Sequence, residues 1–170
     1  MGLTFVVGDA RAVLGEGFGA SVDAALRSRF PELSTEAGET YASDEVSVTG
    51  WRALQARVAG VMQAPQITAI DVYLAAWVPF ANDEIIELAV ANAADPLQVG
   101  SVVALLGELR DFAARAALPV DDVELMGLAN RYLEDDDLAD ADLDVQTYVQ
   151  LLLSAKQAGI HAQPLWIRTR

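Results

Sequence analysis

Apolar positions fall in short runs over the first half of the chain and recur with helical spacing over the second. Leu3 to Val7 is a short, β-rich apolar run closed by Gly8, the pattern of a buried strand. Gly15, Gly17 and Gly19 read as a glycine-rich turn, after which Ser21 caps a helix over about 21–30. Pro31 to Asp44 gathers Pro, Gly, Ser and four acids and reads as a long surface loop. Val46-Ser47-Val48 fits a short strand. Thr49 then opens a helix over about 50–63, with Trp51, Leu54, Val58 and Val61 near one face, and Pro65 ends it. Ile67 to Val78 is almost entirely apolar, so periodicity cannot assign it; its length favours a helix, closed by Pro79. Asn82, Asp83 and Glu84 make a further helix start, because carboxylates complement the N-terminal dipole.

In the second half, Asp95-Pro96 reads as a cap and a first-position proline. The helix it opens carries Val102, Leu105, Leu106, Leu109, Phe112, Ala113 and Ala116 as a stripe and runs to Pro119. Asp121 to Glu124 has capping-box spacing, and the helix that follows places Val123, Met126, Ala129 and Leu133 on one face. Asp144 caps a helix over 145–158 that turns Val145, Tyr148, Leu152 and Ala155 inward and stops at Gly159. Leu165-Trp166-Ile167 fits a last strand, and the two terminal strands are candidates to pair. The sum is a mainly α fold. It is a single globular domain over 1–170, a compact bundle of about six or seven helices with minor short strands near the N- and C-termini; an α+β fold is the alternative.

Composition narrows the function more than the fold. A chain of 170 residues, 53% hydrophobic, supports an ordinary core without a metal or disulfide to complete it. The absence of cysteine excludes disulfide frameworks, thiolate metal sites and cysteine nucleophiles, and a single histidine excludes multi-histidine metal sites. Lys156, the sole lysine, sits in no phosphate-loop context. The apolar stretch 67–80 is too short to span a bilayer, and the first residues lack a leader pattern, so a cytoplasmic protein without a membrane partner is expected. A net charge of −14 disfavours nucleic-acid backbones and anionic lipids. It suits a basic protein partner, a cation, or a merely well-solvated surface.

The most unusual segment is Glu134 to Asp144, where seven of eleven residues are carboxylates. Asp111 to Asp144 holds eleven acids against Arg115 and Arg131. Such crowding raises carboxylate pKa values unless cations or basic groups neutralise it. Asp140, Asp142 and Asp144 occupy the first, third and fifth positions of a calcium loop, but Val145 and Leu151 stand where that loop needs Gly and Glu. The expectation is therefore a non-enzymatic interaction module. Glu134, Asp135, Asp136, Asp137, Asp140 and Asp142 dock a basic protein, with no metal and no cofactor.

The alternative is a small carboxylate-based enzyme, or a ligand or divalent-cation binder. Its pocket would lie near Asp71, the lone acid of the apolar run, with Tyr73 and Trp77 as lining and Arg52 or Arg57 as counter-ions. Self-association through an apolar face of the 97–118 or 145–158 helix is a third possibility. Gly15-x-Gly17-x-x-Ala20 matches a relaxed dinucleotide fingerprint, yet the candidate strand ends at Gly8, too far upstream. His161 has no nucleophile context, and Trp51, Trp77, Trp166, Tyr73, Tyr132 and Tyr148 mostly occupy core-like positions. In composition, though in no motif, the chain resembles the small acidic immunity proteins that neutralise basic toxins.

Overall fold

A mixed seven-stranded sheet, covered by helices on both faces, forms the centre of the computed structural model, which describes residues 1–82 and 84–170. The mainly α bundle expected from the sequence is thereby corrected. Helices hold 52% of the residues and strands 18%, but the helices pack on a sheet, so the fold is α+β.

Strand β1 (Gly2–Gly8) leads directly into α1 (Ala10–Leu14) and α2 (Glu16–Arg29). The glycine-rich segment is thus not a turn: only Gly15, at φ 87°, joins the two helices, and Gly17 and Gly19 lie inside α2. Part of the expected 31–44 loop forms β2 (Glu39–Ala42), which pairs antiparallel with β1. The chain continues into β3 (Val46–Ser47), which pairs antiparallel with the start of β1, and Ser47 rather than Thr49 caps α3 (Val48–Ala59) through the Gly50 N–H.

The run 67–78 splits. Pro65–Thr68 is a single helical turn, α4, and Ala75–Val78 is a buried strand, β4. A strand covered on both faces is apolar at every position, so it carries no alternation to betray it. The helix expected from Asn82 is also absent. Asp83 lies outside the described residues, and Ile86–Leu88 is an edge strand, β5. Asp95-Pro96 precedes a strand, β6 (Leu97–Ser101), and the helix α5 (Val102–Ala116) begins only after Ser101 caps it through the Ala104 N–H. The predicted stripe from Val102 to Ala113 is the buried face of α5.

Next come α6 (Asp122–Glu134), capped by Asp121 as expected, α7 (Asp136–Ala141) and α8 (Leu143–His161), which passes Gly159 and ends at Ala162 in the left-handed region. The chain closes with β7 (Leu165–Thr169). The strand order is β2-β1-β7-β4-β6-β5, with β3 pairing on β1. The terminal strands are neighbours, with Phe5 opposite Ile167, and β4 and β6 run parallel.

Leu3, Phe5, Val7, Ala75, Trp77, Leu165 and Ile167 face a core built with α3, α5 and α8. Ala76, Val78, Leu97, Val99 and Trp166 face the opposite core, under α1 and α2. Helix α8 is buried at ten positions around its circumference, because α3, α5 and α6 flank it and the sheet lies beneath. The 145–158 helix therefore has no free apolar face for self-association. Its polar groups are satisfied inside: Gln150 accepts from the Asp44 N–H at 3.1 Å and donates to the Asp44 carboxylate at 3.0 Å.

Candidate functional site

The six predicted docking residues fall at the junction of α6, α7 and α8. Asp135 serves both neighbours: it is the C-cap of α6, and its Oδ1 accepts the Leu138 N–H at 3.0 Å to start α7. Glu134, Asp136, Asp137 and Asp140 are exposed, and none has an ion-pair partner among the described residues. Asp142 is different. It is half-buried and meets the Tyr132 hydroxyl, and burial first, then this carboxylate's charge, push the tyrosine up to about 12. Asp144, the last acid of the run, bonds Arg57 at 2.6 Å and ties α8 to α3. The sequence cluster thus separates into four free carboxylates, one cap and two internal struts. The spacing once compared with a calcium loop is largely helix, and no group of three acids or histidines among the described residues is placed to hold a metal ion.

The acidic run continues into a surface that the helical pattern had assigned to the interior. Helix α6 buries Leu125, Ala129 and Tyr132, not Val123, Met126 and Leu133. Two apolar stripes compete on this helix, and only one can face α8. The stripe with Leu125 and Tyr132 wins, because the ring is the larger area to remove from water. Val123 is left 81% exposed, Met126 50% and Leu133 61%. Helical spacing sets Val123, Met126 and Leu133 along the crest and one shoulder of α6. The other shoulder, with Glu124, Gly127, Leu128 and Arg131, joins Ala117, Leu118 and Pro119 around an open cavity of about 700 Å³. The exposed stripe and this cavity are the features that sequence reasoning missed; the signal was the presence of two apolar faces on one helix.

The Asp71 region is assembled only in part. Asp71 sits in the loop after α4, not in the first turn of a helix, and its carboxylate is about half exposed. Oδ1 accepts the Val72 N–H at 2.6 Å, and Arg52, one of the two expected cations, lies 3.9 Å away; Arg57 is held by Asp144. A shallow cavity of about 300 Å³ adjoins it, lined by Asp71, Tyr73, Leu74, Glu87, Asp95, Pro96 and Gln98. Tyr73 is 72% exposed, so it is a surface residue and not part of the core. Trp77 does not reach this cavity. It is fully buried, and its indole donates to the Gln66 carbonyl at 3.1 Å and meets Trp51 edge-on. What remains is an acidic hollow with one aromatic wall, which can attract a cationic group.

Two other carboxylates have perturbed environments. Burial raises Glu108 above the usual range, partly offset by the Gln66 and Ile67 N–H groups it accepts. Asp9 is raised by burial and lowered more by the N–H groups of Gly38, Ala12 and Arg11. Both are bound up in capping backbone. His161 lies 3.8 Å from Glu36 in the last turn of α8, away from both candidate sites. No helix of the described residues is long and apolar enough to cross a membrane. No known protein family, no curated protein and no solved structure matches the chain.

Proposed function

We propose that this protein is a cytoplasmic interaction module whose acidic face, centred on Glu134, Asp136, Asp137 and Asp140, docks a basic protein partner. The observation that carries the reading is the concentration of four exposed carboxylates without counter-charges around one short helix. Elsewhere several acids are neutralised locally: Asp23 by Arg27, Glu39 by Arg168, Asp144 by Arg57. Unpaired like charges repel one another, and a cationic surface relieves that repulsion on binding. The same field disfavours phosphate backbones and anionic lipid surfaces. The hollow beside Asp71 supports a ligand reading less well, because its acids are exposed and Arg52 already stands near one of them.

A fluorescent oligolysine peptide tests the reading by anisotropy at two salt concentrations. Wild-type protein binds it and releases it as salt rises, because exposed pairs are screened over about 8 Å at physiological ionic strength. The variant Glu134→Gln/Asp136→Asn/Asp137→Asn/Asp140→Asn keeps its fold and loses about fourfold or more in affinity, at about 0.2–1 kcal/mol per exposed pair. Asp135 is left in place because it caps α7. Equal affinity for both proteins would sink the acidic-face reading.

A further inference from the structure

We propose that the exposed apolar stripe of α6, formed by Val123, Met126 and Leu133, is the second half of the same docking face, and that it fits a cationic amphipathic segment of a protein partner. This rests on the acidic-face reading and adds the chemistry of the partner's recognition element: an apolar strip bordered by Lys or Arg. Three observations carry it.

The first is concentration. Ten large hydrophobic side chains are exposed among the described residues, and four of them, Val120, Val123, Met126 and Leu133, fall within one stretch of fourteen. Exposed apolar side chains scattered singly need no explanation, but several gathered on one helix with a polar rim point to an interaction surface. The second is continuity. From Val123 to Leu133 the stripe runs about 15 Å at 1.5 Å per residue. It ends where Glu134 to Asp137 begin, so the apolar stripe of α6 and the acids that open α7 adjoin at Leu133 and Glu134.

The third is charge. A second copy of this chain is a poor occupant, because a two-fold contact repeats the same patch on both sides and sets acids against acids. A membrane with anionic headgroups is repelled for the same reason. A segment that is apolar along one side and cationic along its border satisfies both parts at once. The apolar centre contributes affinity that salt does not screen, and the acids contribute orientation and association rate.

The test uses two labelled peptides of equal positive charge: oligolysine, and a Leu/Lys peptide whose leucines recur at i, i+3, i+4 and i+7, so that it folds into an amphipathic helix. Wild-type protein is expected to bind the Leu/Lys peptide about tenfold or more tightly than oligolysine, and to keep part of that binding at raised salt. In the variant Val123→Ser/Met126→Ser/Leu133→Ser the preference disappears while oligolysine binding is unchanged. The side chains are exposed, so the fold is retained; circular dichroism checks this.

A measurement on the wild-type protein avoids mutation altogether. Of the three methionine methyl groups, that of Met126 shifts in the NMR spectrum on adding the Leu/Lys peptide, and that of half-buried Met62 does not. A wild-type protein without the preference, a serine variant that keeps it, or a Met126 signal that stays put overturns the stripe proposal while leaving the acidic face standing. Failure of the wild type to bind oligolysine overturns the acidic-face reading itself, and the stripe's role with it.

Discussion

At the scale of single residues, space decides what a glycine is for. Gly19 and Gly107 are both inside helices. A Cβ on Gly19 would stand 2.4 Å from the Ala10 carbonyl oxygen and 2.6 Å from the Arg11 Cα. These are backbone atoms and cannot rotate away, so Gly19 is what lets α1 and α2 approach. A Cβ on Gly107 meets nothing within 4 Å. The same substitution therefore has opposite signs. Gly19→Ala destabilises by about 1–3 kcal/mol through overpacking, and Gly107→Ala stabilises by about 1 kcal/mol through helix propensity. Urea unfolding of the two variants checks this; midpoints displaced in the same direction would show that the contact is not what holds position 19. The glycine pattern at 15–19 was visible as a pattern, but whether each member serves a joint, a close contact or neither depends on atoms from another helix.

At the scale of elements, caps are the most local devices and the most legible. Asp9 starts α1 by accepting the Arg11 N–H at 2.9 Å and the Ala12 N–H at 3.2 Å, and its other oxygen takes the Gly38 N–H from the loop ahead of β2. Its folded pKa lies below the ordinary 3.8. A depressed carboxylate pKa contributes stability that is fully present above 3.8 and is lost as pH falls through the folded value. Asp9→Asn keeps one accepting oxygen for α1 and loses the acceptor for Gly38. It therefore costs about 1–2 kcal/mol near neutral pH, and the difference from wild type closes as pH drops below 3.8. Chemical denaturation across that range measures it; a difference independent of pH would remove the charge from the explanation. Elements with a local signature were readable in the same way: the stripe of α5, the Asp121 cap of α6, and the apolar terminal strands. β4 and β6 were not. Ala75 and Ala76 have little strand propensity, and Asp95-Pro96 imitates a helix start although proline also suits the first residue of a strand. α6 was read on its wrong face because two apolar stripes share its surface, and the choice between them is made by α8.

At the scale of the whole molecule, what mattered was which segments meet. The acidic cluster was legible because its members are contiguous in the chain. The hollow lined by Asp71, Tyr73, Glu87, Asp95 and Gln98 was not, because three segments bring it together. The sheet shows the same dependence most strongly. β7 is the strand that joins β1 on one side to β4 on the other, so residues near position 166 hold together halves that nothing local connects. Trp166 lies opposite both Val6 and Ala76, and its indole donates to the Gly8 carbonyl at 2.9 Å. Removing Leu165 to Arg170 takes away three fully or nearly buried side chains, whose burial is worth about 1.5–3 kcal/mol each, and leaves two new sheet edges unpaired. That sum approaches the whole stability of an ordinary domain, about 5–15 kcal/mol. A chain ending at Pro164 is therefore expected to lose its near-ultraviolet tryptophan signal, still reported by Trp51 and Trp77, and to elute as an expanded species. The helices alone do not rescue it, because α3, α5 and α8 bury their apolar faces against the same strands. Retention of a cooperative near-ultraviolet transition in that shortened chain would mean that the helical layer, and not the sheet, is the organising core.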